Sequence, residues 1–420
     1  MTSSSKEIAL KLDQQDSLNY LREEFIFPKT DSGKDFLYFA GNSLGLQPKQ
    51  ARKYLDQVFS KWASHAVEGH FFGEDPWITY NESVIPGICH LVGAQAHEVV
   101  AMNTLTINLH SMLISFFRPN GKRTKIVMES SAFPSDIYAV KSQLQFHNLD
   151  PRENIIELLP RQGESLLRDE DILKTIDQNK DSIALVLIGN VNYLTGQCYD
   201  MTQITQAAHK AGALVGFDLA HGVGNLNLSL HNIGCDFAIW CHYKYVNGGP
   251  GTIAGAFIHE RHAQNKNIHR LAGWWGQNKQ SRFQMGPDFD PIPSASGWQS
   301  SNPPVFQLAV LRSSLEIFQK TSMEKLKSKA DQLTQYFEQL VDTSRVVEII
   351  TPRNPDKRGT QLSLRIPING RGVLNSLKEL GAICDFREPN VIRLAPAPLY
   401  TKFMDLYEFH EMLKKALKSP

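Results

Sequence analysis

Lys244 closes an apolar, strand-like run over residues 237–241 and opens a glycine-rich turn, Asn247-Gly-Gly-Pro-Gly251. An amine so placed loses part of its hydration, which lowers its pKa and makes it a nucleophile near neutral pH. It can then form an imine with a carbonyl compound. The glycines let backbone approach a ligand closely. Asp218, 244 − 218 = 26 residues upstream, ends a second apolar run, Ala213-Leu-Val-Gly-Phe-Asp218. Taken singly, the lysine reads as a solvated strand end and the aspartate as a helix N-cap. Together they end two strands of one α/β pattern, where ligands gather in such sheets. An imine-forming lysine and a carboxylate for a pyridinium nitrogen are the two groups pyridoxal phosphate most needs.

Three further segments suit that chemistry. Asn103-Thr-Leu-Thr106 precedes a helical run over 109–117, so Thr104 or Thr106 can cap it and bind a phosphate at the helix start. Ser131-Ala-Phe133-Pro-Ser-Asp136 follows a strand over 124–129 and offers an aromatic ring to stack on a pyridine, or a plain proline turn. Arg393 lies between apolar neighbours in Ile392-Arg-Leu-Ala-Pro396. It must be paired internally or reach into a cleft, where its planar fork suits a substrate carboxylate. Ala220-His-Gly222-Val-Gly224 lacks the third glycine of a dinucleotide fingerprint.

The elements that must carry these groups are an alternation of strands and helices from about 98 to 260. Residues 124–129, 182–188, 213–217, 237–241 and 254–258 read as buried strands. Met201, Ile204, Ala207, Ala208 and Ala211 share one helical face. This predicts an α/β fold with a mostly parallel sheet flanked by helices. Residues 36–40 read as extended and 49–65 as an amphipathic helix. A proline- and glycine-rich stretch from Met285 reads as a long loop. Beyond a helix at 308–318 the pattern becomes a smaller α+β unit, with strands around 362–366 and 391–394 and a closing helix near 401–417. The implied division is an N-terminal segment 1–65 that joins the small domain, a large domain 66–305 and a small C-terminal domain 306–420.

Composition sets the class. Hydrophobic content of 42%, charged content of 21% and a net charge of +1 describe a globular chain without the field that attracts nucleic acid or anionic membrane. No apolar run reaches membrane-spanning length and the first residues lack a signal-peptide core, so a cytoplasmic protein is expected. Five scattered cysteines fit reduced thiols. No metal site is expected, because Cys241 and His242 point to opposite faces of a strand.

The chain resembles the kynureninase family, pyridoxal-phosphate enzymes of fold type I. The resemblance is carried by Phe39-Ala-Gly-Asn-Ser-Leu-Gly-Leu-Gln-Pro48, Pro76-Trp-Ile-Thr79, Phe133-Pro134-Ser135-Asp136, Tyr193-Leu-Thr-Gly-Gln197, Phe217-Asp-Leu-Ala-His221, Tyr243-Lys-Tyr245, Gly273-Trp-Trp-Gly276, Ser301-Asn-Pro-Pro304 and Ala395-Pro-Ala-Pro-Leu-Tyr400. It implies a seven-stranded, mostly parallel sheet in the large domain and a homodimer whose active site is shared between subunits. The implied reaction is hydrolysis of L-kynurenine, or its 3-hydroxy form, to an anthranilate and L-alanine, in tryptophan catabolism and NAD biosynthesis.

The resemblance also implies roles. Lys244 holds the cofactor and acts as base at the α-carbon, and Asp218 keeps the ring nitrogen protonated. Phe133 stacks on the ring. Leu105, Thr106 and Tyr243 bind the phosphate. Pro134, Ser135, Asp136, Gly189 and His221 lie around the cofactor, and a second subunit lends Trp274 and Asn302. Arg393 takes the substrate α-carboxylate. His70, Ser301 and Asn302 line the aryl pocket, Asn302 going with preference for the 3-hydroxylated substrate. Tyr243 or His70 assists proton transfer at the γ-carbonyl. Gly189 stands where a small hydroxyl residue is expected, and Trp275 where a phenylalanine is. The rival readings are a cysteine-desulfurase-like lyase, which needs a reactive cysteine on a mobile loop, and a non-catalytic cofactor-binding protein.

Overall fold

Short runs of Val, Ile, Leu and Phe, bounded by polar residues and glycine, form strands buried on both faces. The computed structural model describes residues 4–418. Its central sheet has seven strands: β1 (Val99–Ala101), β2 (Lys125–Glu129), β3 (Ile155–Leu158), β4 (Ile183–Gly189), β5 (Leu214–Asp218), β6 (Phe237–Trp240) and β7 (Gly255–Ile258). Their spatial order is β1-β7-β6-β5-β4-β2-β3. Strands β3, β2, β4, β5 and β6 are parallel, and β7 runs against both β6 and β1. The five strands read from the sequence are all present. The two not read, β1 and β3, are a three-residue strand and a half-exposed edge strand.

Alternate side chains supply two cores. Ile126, Met128, Leu185, Leu187 and Ile239 meet helices α1 (Leu105–Phe116) and α2 (Pro134–Phe146) on one face. Val127, Val186, Val215 and Phe217 meet α3 (Val305–Phe318) and the helix Met201–Lys210 on the other. The period of two along each strand is what covers both faces.

A second sheet, β8 (Glu348–Ile349), β9 (Leu362–Arg365), β10 (Asp385–Arg387) and β11 (Val391–Leu394), has the order β8-β9-β11-β10 and is antiparallel throughout. It packs on α4 (Met323–Ser344), α5 (Gly370–Leu380) and α6 (Phe403–Ala416) through Phe337, Leu377, Phe409 and their neighbours. The N-terminal segment joins this core through Ala9, Leu37 and Phe39, and Leu37–Tyr38 pairs in parallel with Ala382–Ile383. Leu18, Leu21, Phe25 and Val58 instead enter the core beneath the large sheet. The stretch from Met285 lies in a long connection between β7 and α3 whose regular structure is mostly single 3-10 turns. Among the described residues no helix is long and apolar enough to cross a membrane.

The sheet is tightly apposed where it carries the site. Gly216 of β5 stands opposite Phe237 of β6, and a Cβ on it would lie 2.1 Å from the ring. Gly216→Ala should cost about 1–3 kcal/mol in chemical denaturation, as overpacked cores do. Adding Phe237→Leu should recover part of the loss. A Gly216→Ala protein as stable as the parent would mean the two strands can separate freely here.

Candidate active site

The C-terminal ends of β2, β4, β5 and β6 point to one side of the sheet and bring Glu129, Gly189, Asp218 and Lys244 together. They wall a cavity with about 570 Å³ of empty space, part of it open to solvent. Its other walls include Leu105, Thr106, Phe133, Ser135, Asp136, His221 and Tyr243.

Two helices begin at this cavity. Thr104 is extended before α1 and Phe133 before α2, and neither makes a side-chain cap bond. Pro134 takes the first position of α2, where a missing N–H costs nothing. No side-chain cap therefore claims the first-turn N–H groups of either helix, although that of Asp136 donates to the Phe133 carbonyl at 2.9 Å. The hydroxyls of Thr106 and Ser135 lie 2.8 Å apart, so the two helix starts converge. Backbone donors, hydroxyls and two positive dipole ends make an anion site.

The opposite wall is acidic. Asp218 is buried, and its Oδ1 accepts the Ala220 N–H at 2.7 Å. Asp136, in the first turn of α2, is close enough to share a hydrogen bond with it. Burial, and then the Asp218 charge, push the Asp136 carboxyl well up, so Asp136 keeps a proton and donates it. Burial also raises Asp218, against the Asp136 hydrogen bond, Lys244 and the Ala220 N–H.

Lys244 Nζ lies 3.1 Å from His221 Nε2, 5.9 Å from the Phe133 ring centroid and 6.0 Å from that of Tyr243. Burial and then the Lys244 charge hold His221 well below the ordinary histidine range. His221 is therefore neutral, and its Nε2 accepts from the ammonium. The lysine loop is clamped from outside. The Gly45 N–H donates to the Tyr243 carbonyl at 2.8 Å, and the Ser314 hydroxyl donates to the Val246 carbonyl. A Cβ on Gly45 would strike the Lys244 carbonyl at 2.4 Å. Asn247 and Gly249 take positive φ in the turn that follows.

The chain is 53% identical to a kynureninase of Myxococcus xanthus, over 98% of this chain and 97% of that protein. It is 49% identical to one of Flavobacterium johnsoniae, over 99% and 98%. The chain belongs to the kynureninase family. A family profile described as the kynureninase C-terminal domain matches residues 326–413. The kynureninase reaction is the hydrolytic cleavage of kynurenine or 3-hydroxykynurenine, and pyridoxal phosphate is its cofactor. The fold is fold type I. The cysteine desulfurase CsdA of Escherichia coli superposes with a TM-score of 0.77 at 16% identity, covering 96% of this chain and 98% of that one. A cysteine desulfurase of Thermococcus onnurineus does so at 0.76 and 16%, covering 91% and 95%.

The residues present fit that cofactor. An anion site, a lysine and a carboxylate pair share one cavity, and half-exposed Phe133 is free to stack. Asp136 Oδ1 and His221 Nδ1 are buried without a hydrogen-bond partner among the described residues. Of the residues that the kynureninase resemblance assigns to the cofactor, the cavity wall lacks Pro134, which opens α2 between Phe133 and Ser135, and Trp274 and Asn302. Trp274 borders a separate hollow with Gln277 and Phe289. Ser301 and Asn302 are exposed before α3. His70 borders an apolar hollow with Trp62, Trp77 and Phe306. Arg393 is buried on β11, where it donates to the Tyr193 carbonyl at 2.7 Å and to Ser43 Oγ at 3.1 Å, and pairs with Asp385. Tyr193 and Glu129 line the cavity, although neither is assigned a site role from the sequence. A carboxylate ending a buried strand was the available signal for Glu129.

His242 positions the loop from behind. Trp240 Nε1–H donates to its Nε2 at 2.8 Å, and its Nδ1–H donates to the Ile253 carbonyl at 2.7 Å. Both ring nitrogens are used in the neutral form, and burial lowers the pKa to about 4. The unfolded chain takes up this proton first, near pH 6.5, so stability should fall as pH drops from about 6.5 toward 4. Denaturation midpoints across that range should slope less in His242→Gln than in the parent. An equal slope would place the proton elsewhere.

Proposed function

We propose that this chain cleaves 3-hydroxy-L-kynurenine in preference to L-kynurenine, with Lys244 and Asp218 as its central groups. The carrying observation is one cavity holding Lys244, a neutral His221, the Asp136–Asp218 pair and two convergent helix starts. Bound pyridoxal phosphate supplies a carbonyl for Lys244 and an electron sink for the bonds broken at the substrate's α- and β-carbons. The α1 and α2 starts, with Leu105, Thr106 and Tyr243, take the phosphate. Phe133 packs on the ring, with Pro134, Ser135, Asp136, Gly189 and His221 around it. Asp218 holds the proton on the ring nitrogen, and Asp136 steadies Asp218 with its own proton. Lys244 Nζ takes the proton from the α-carbon, and the neutral His221 beside it relieves the ammonium that results.

Arg393 meets the α-carboxylate, held ready by the Tyr193 carbonyl, Ser43 and Asp385. Burial raises the Tyr243 pKa, so its hydroxyl keeps a proton to give at the γ-carbonyl. His70 of a second copy is the other group for that step.

We infer a homodimer with a shared site from the residues left outside the cavity. Trp274 and His70 are linked to an aromatic surface. His70 packs edge-on against Trp77, Phe71 lies against Phe283, and Phe283 lies against Trp274. Phe71, Phe72, Phe283 and Met285 are more than half exposed there. An apolar surface of this kind marks an interface. A second copy then closes the aryl pocket with Trp274, Ser301 and Asn302. We also group residues 1–65 with 306–420 against 66–305, supported by the pairing of Leu37–Tyr38 with Ala382–Ile383.

The desulfurase-like rival has no thiol suited to it. Cys235 and Cys241 are buried. Burial pushes the Cys89 and Cys198 thiols up to about 11 and that of Cys384 to about 12. A reactive cysteine needs the reverse shift.

Adding 3-hydroxykynurenine to the cofactor-loaded protein should release a fluorescent hydroxyanthranilate. Lys244→Ala should abolish turnover, and ordinary kcat in that variant would sink the assignment. Arg393→Lys keeps the charge but loses the fork. It should raise KM roughly 10- to 100-fold with kcat less affected, whereas an unchanged KM would make the arginine structural. Asn302→Thr should shift the kcat/KM ratio toward unhydroxylated kynurenine, and a constant ratio would reject its role in specificity.

A further inference from the structure

Glu129 is the one buried acid of the cavity that the mechanism above does not use. It ends β2, across β4 from Asp218. Its two oxygens lie 3.1 and 3.3 Å from the Gly189 amide nitrogen. Among the described residues no cation pairs with it. A Cβ on residue 189 would stand 3.0 Å from Glu129 Oε1, so the carboxyl fills the room that a side chain at 189 would take. A side chain at 189 would require that carboxyl to shift by a few tenths of an ångström.

The groups facing Glu129 decide its charge. They are Asp136 on α2, Asp218 on β5, His221 just beyond β5, Tyr199 beyond β4 and Lys244 beyond β6. His221 is neutral, and burial holds Tyr199 protonated. Three buried carboxyls thus face one ammonium. Two uncompensated negative charges at low dielectric are costly. A proton on Asp136 and another on Glu129 leave Asp218 against Lys244, and the charges balance. Burial and the Asp218 charge push the Glu129 carboxyl up to about 8, against the Gly189 amide.

We propose that Glu129 is a cofactor-holding residue of this cavity, a neutral acid that gives a hydrogen bond to the group bound there. A buried carboxylic acid kept neutral in this way is a hydrogen-bond donor at neutral pH. The role rests on the reading above that the cavity holds pyridoxal phosphate, but the proton itself does not.

The test therefore has an arm without cofactor. In the apoprotein at neutral pH, the infrared carbonyl band of protonated carboxyls should lose intensity in Glu129→Gln. Its folded pKa lies above the unfolded one, so the folded state binds the extra proton between about pH 4.5 and 8 and stability falls as pH rises through that range. Glu129→Gln should make that fall shallower. Pyridoxal phosphate titrated into apoprotein should bind Glu129→Gln with a Kd within about threefold of the parent, because the amide still donates. In Glu129→Ala the Kd should rise roughly tenfold, one hydrogen bond's worth. An unchanged infrared band would overturn the neutral acid. Parent-like binding by Glu129→Ala, or Glu129→Gln as weak as Glu129→Ala, would overturn the role. A parent that takes up no pyridoxal phosphate would overturn the cofactor reading and this role with it.

Discussion

The site depends on one electrostatic constraint. A lysine ammonium and several carboxyls are taken out of water at the ends of adjacent strands, where unpaired charge is costly. Lys244 meets that constraint with neutral His221 at 3.1 Å and ionised Asp218 across the cavity. Asp136 meets it by keeping its proton and giving Asp218 a hydrogen bond. The arrangement leaves a lysine ammonium, a carboxylate bonded to a second, protonated carboxyl, and a neutral imidazole within one small volume. Shifting any one of these protons would change the others, because the groups share a desolvated space.

Such a cluster needs walls that do not yield. The central sheet supplies them, since neighbouring strand ends are fixed by the backbone ladder and by two cores of alternating side chains. The lysine loop lacks a ladder of its own and is held by other segments. Gly45 approaches its backbone from the N-terminal loop, Ser314 bonds it from α3, and His242 ties it to Ile253. The loop that carries Gly45 also carries Ser43, which bonds Arg393. One short N-terminal segment thereby couples the loop of Lys244 to the arginine of the second sheet.

The aryl side of the site follows a different logic. His70 and Trp274 stand outside the cavity, beside an exposed aromatic surface that a single chain leaves uncovered, and Asn302 is exposed before α3. A pocket for a flat aromatic substrate needs apolar walls, and a second copy laid on this surface would provide them. In the proposed dimer, polar cofactor chemistry would sit within one chain and substrate selection would fall to surfaces that meet on association.

Much of this was legible along the chain. Uninterrupted apolar runs identified five central strands, because strands buried on both faces carry no polar alternation. Lys244 and Asp218 stood out as polar groups ending such runs, and the starts of α1 and α2 as hydroxyl- and proline-bearing turns. Short β1 and half-exposed β3 left too weak a pattern to read. Glu129 also ended a run, yet its importance depends on Gly189, 60 residues away, leaving room for its carboxyl. Arg393 could be read as paired or as reaching a cleft, and only the fold set Asp385, Ser43 and the Tyr193 carbonyl around it. Residue type and local spacing determined which groups could do chemistry and which segments would be buried. Tertiary structure alone decided which acids share a proton and which oxygen faces which amide, because those energies depend on distance and desolvation between segments far apart in the chain.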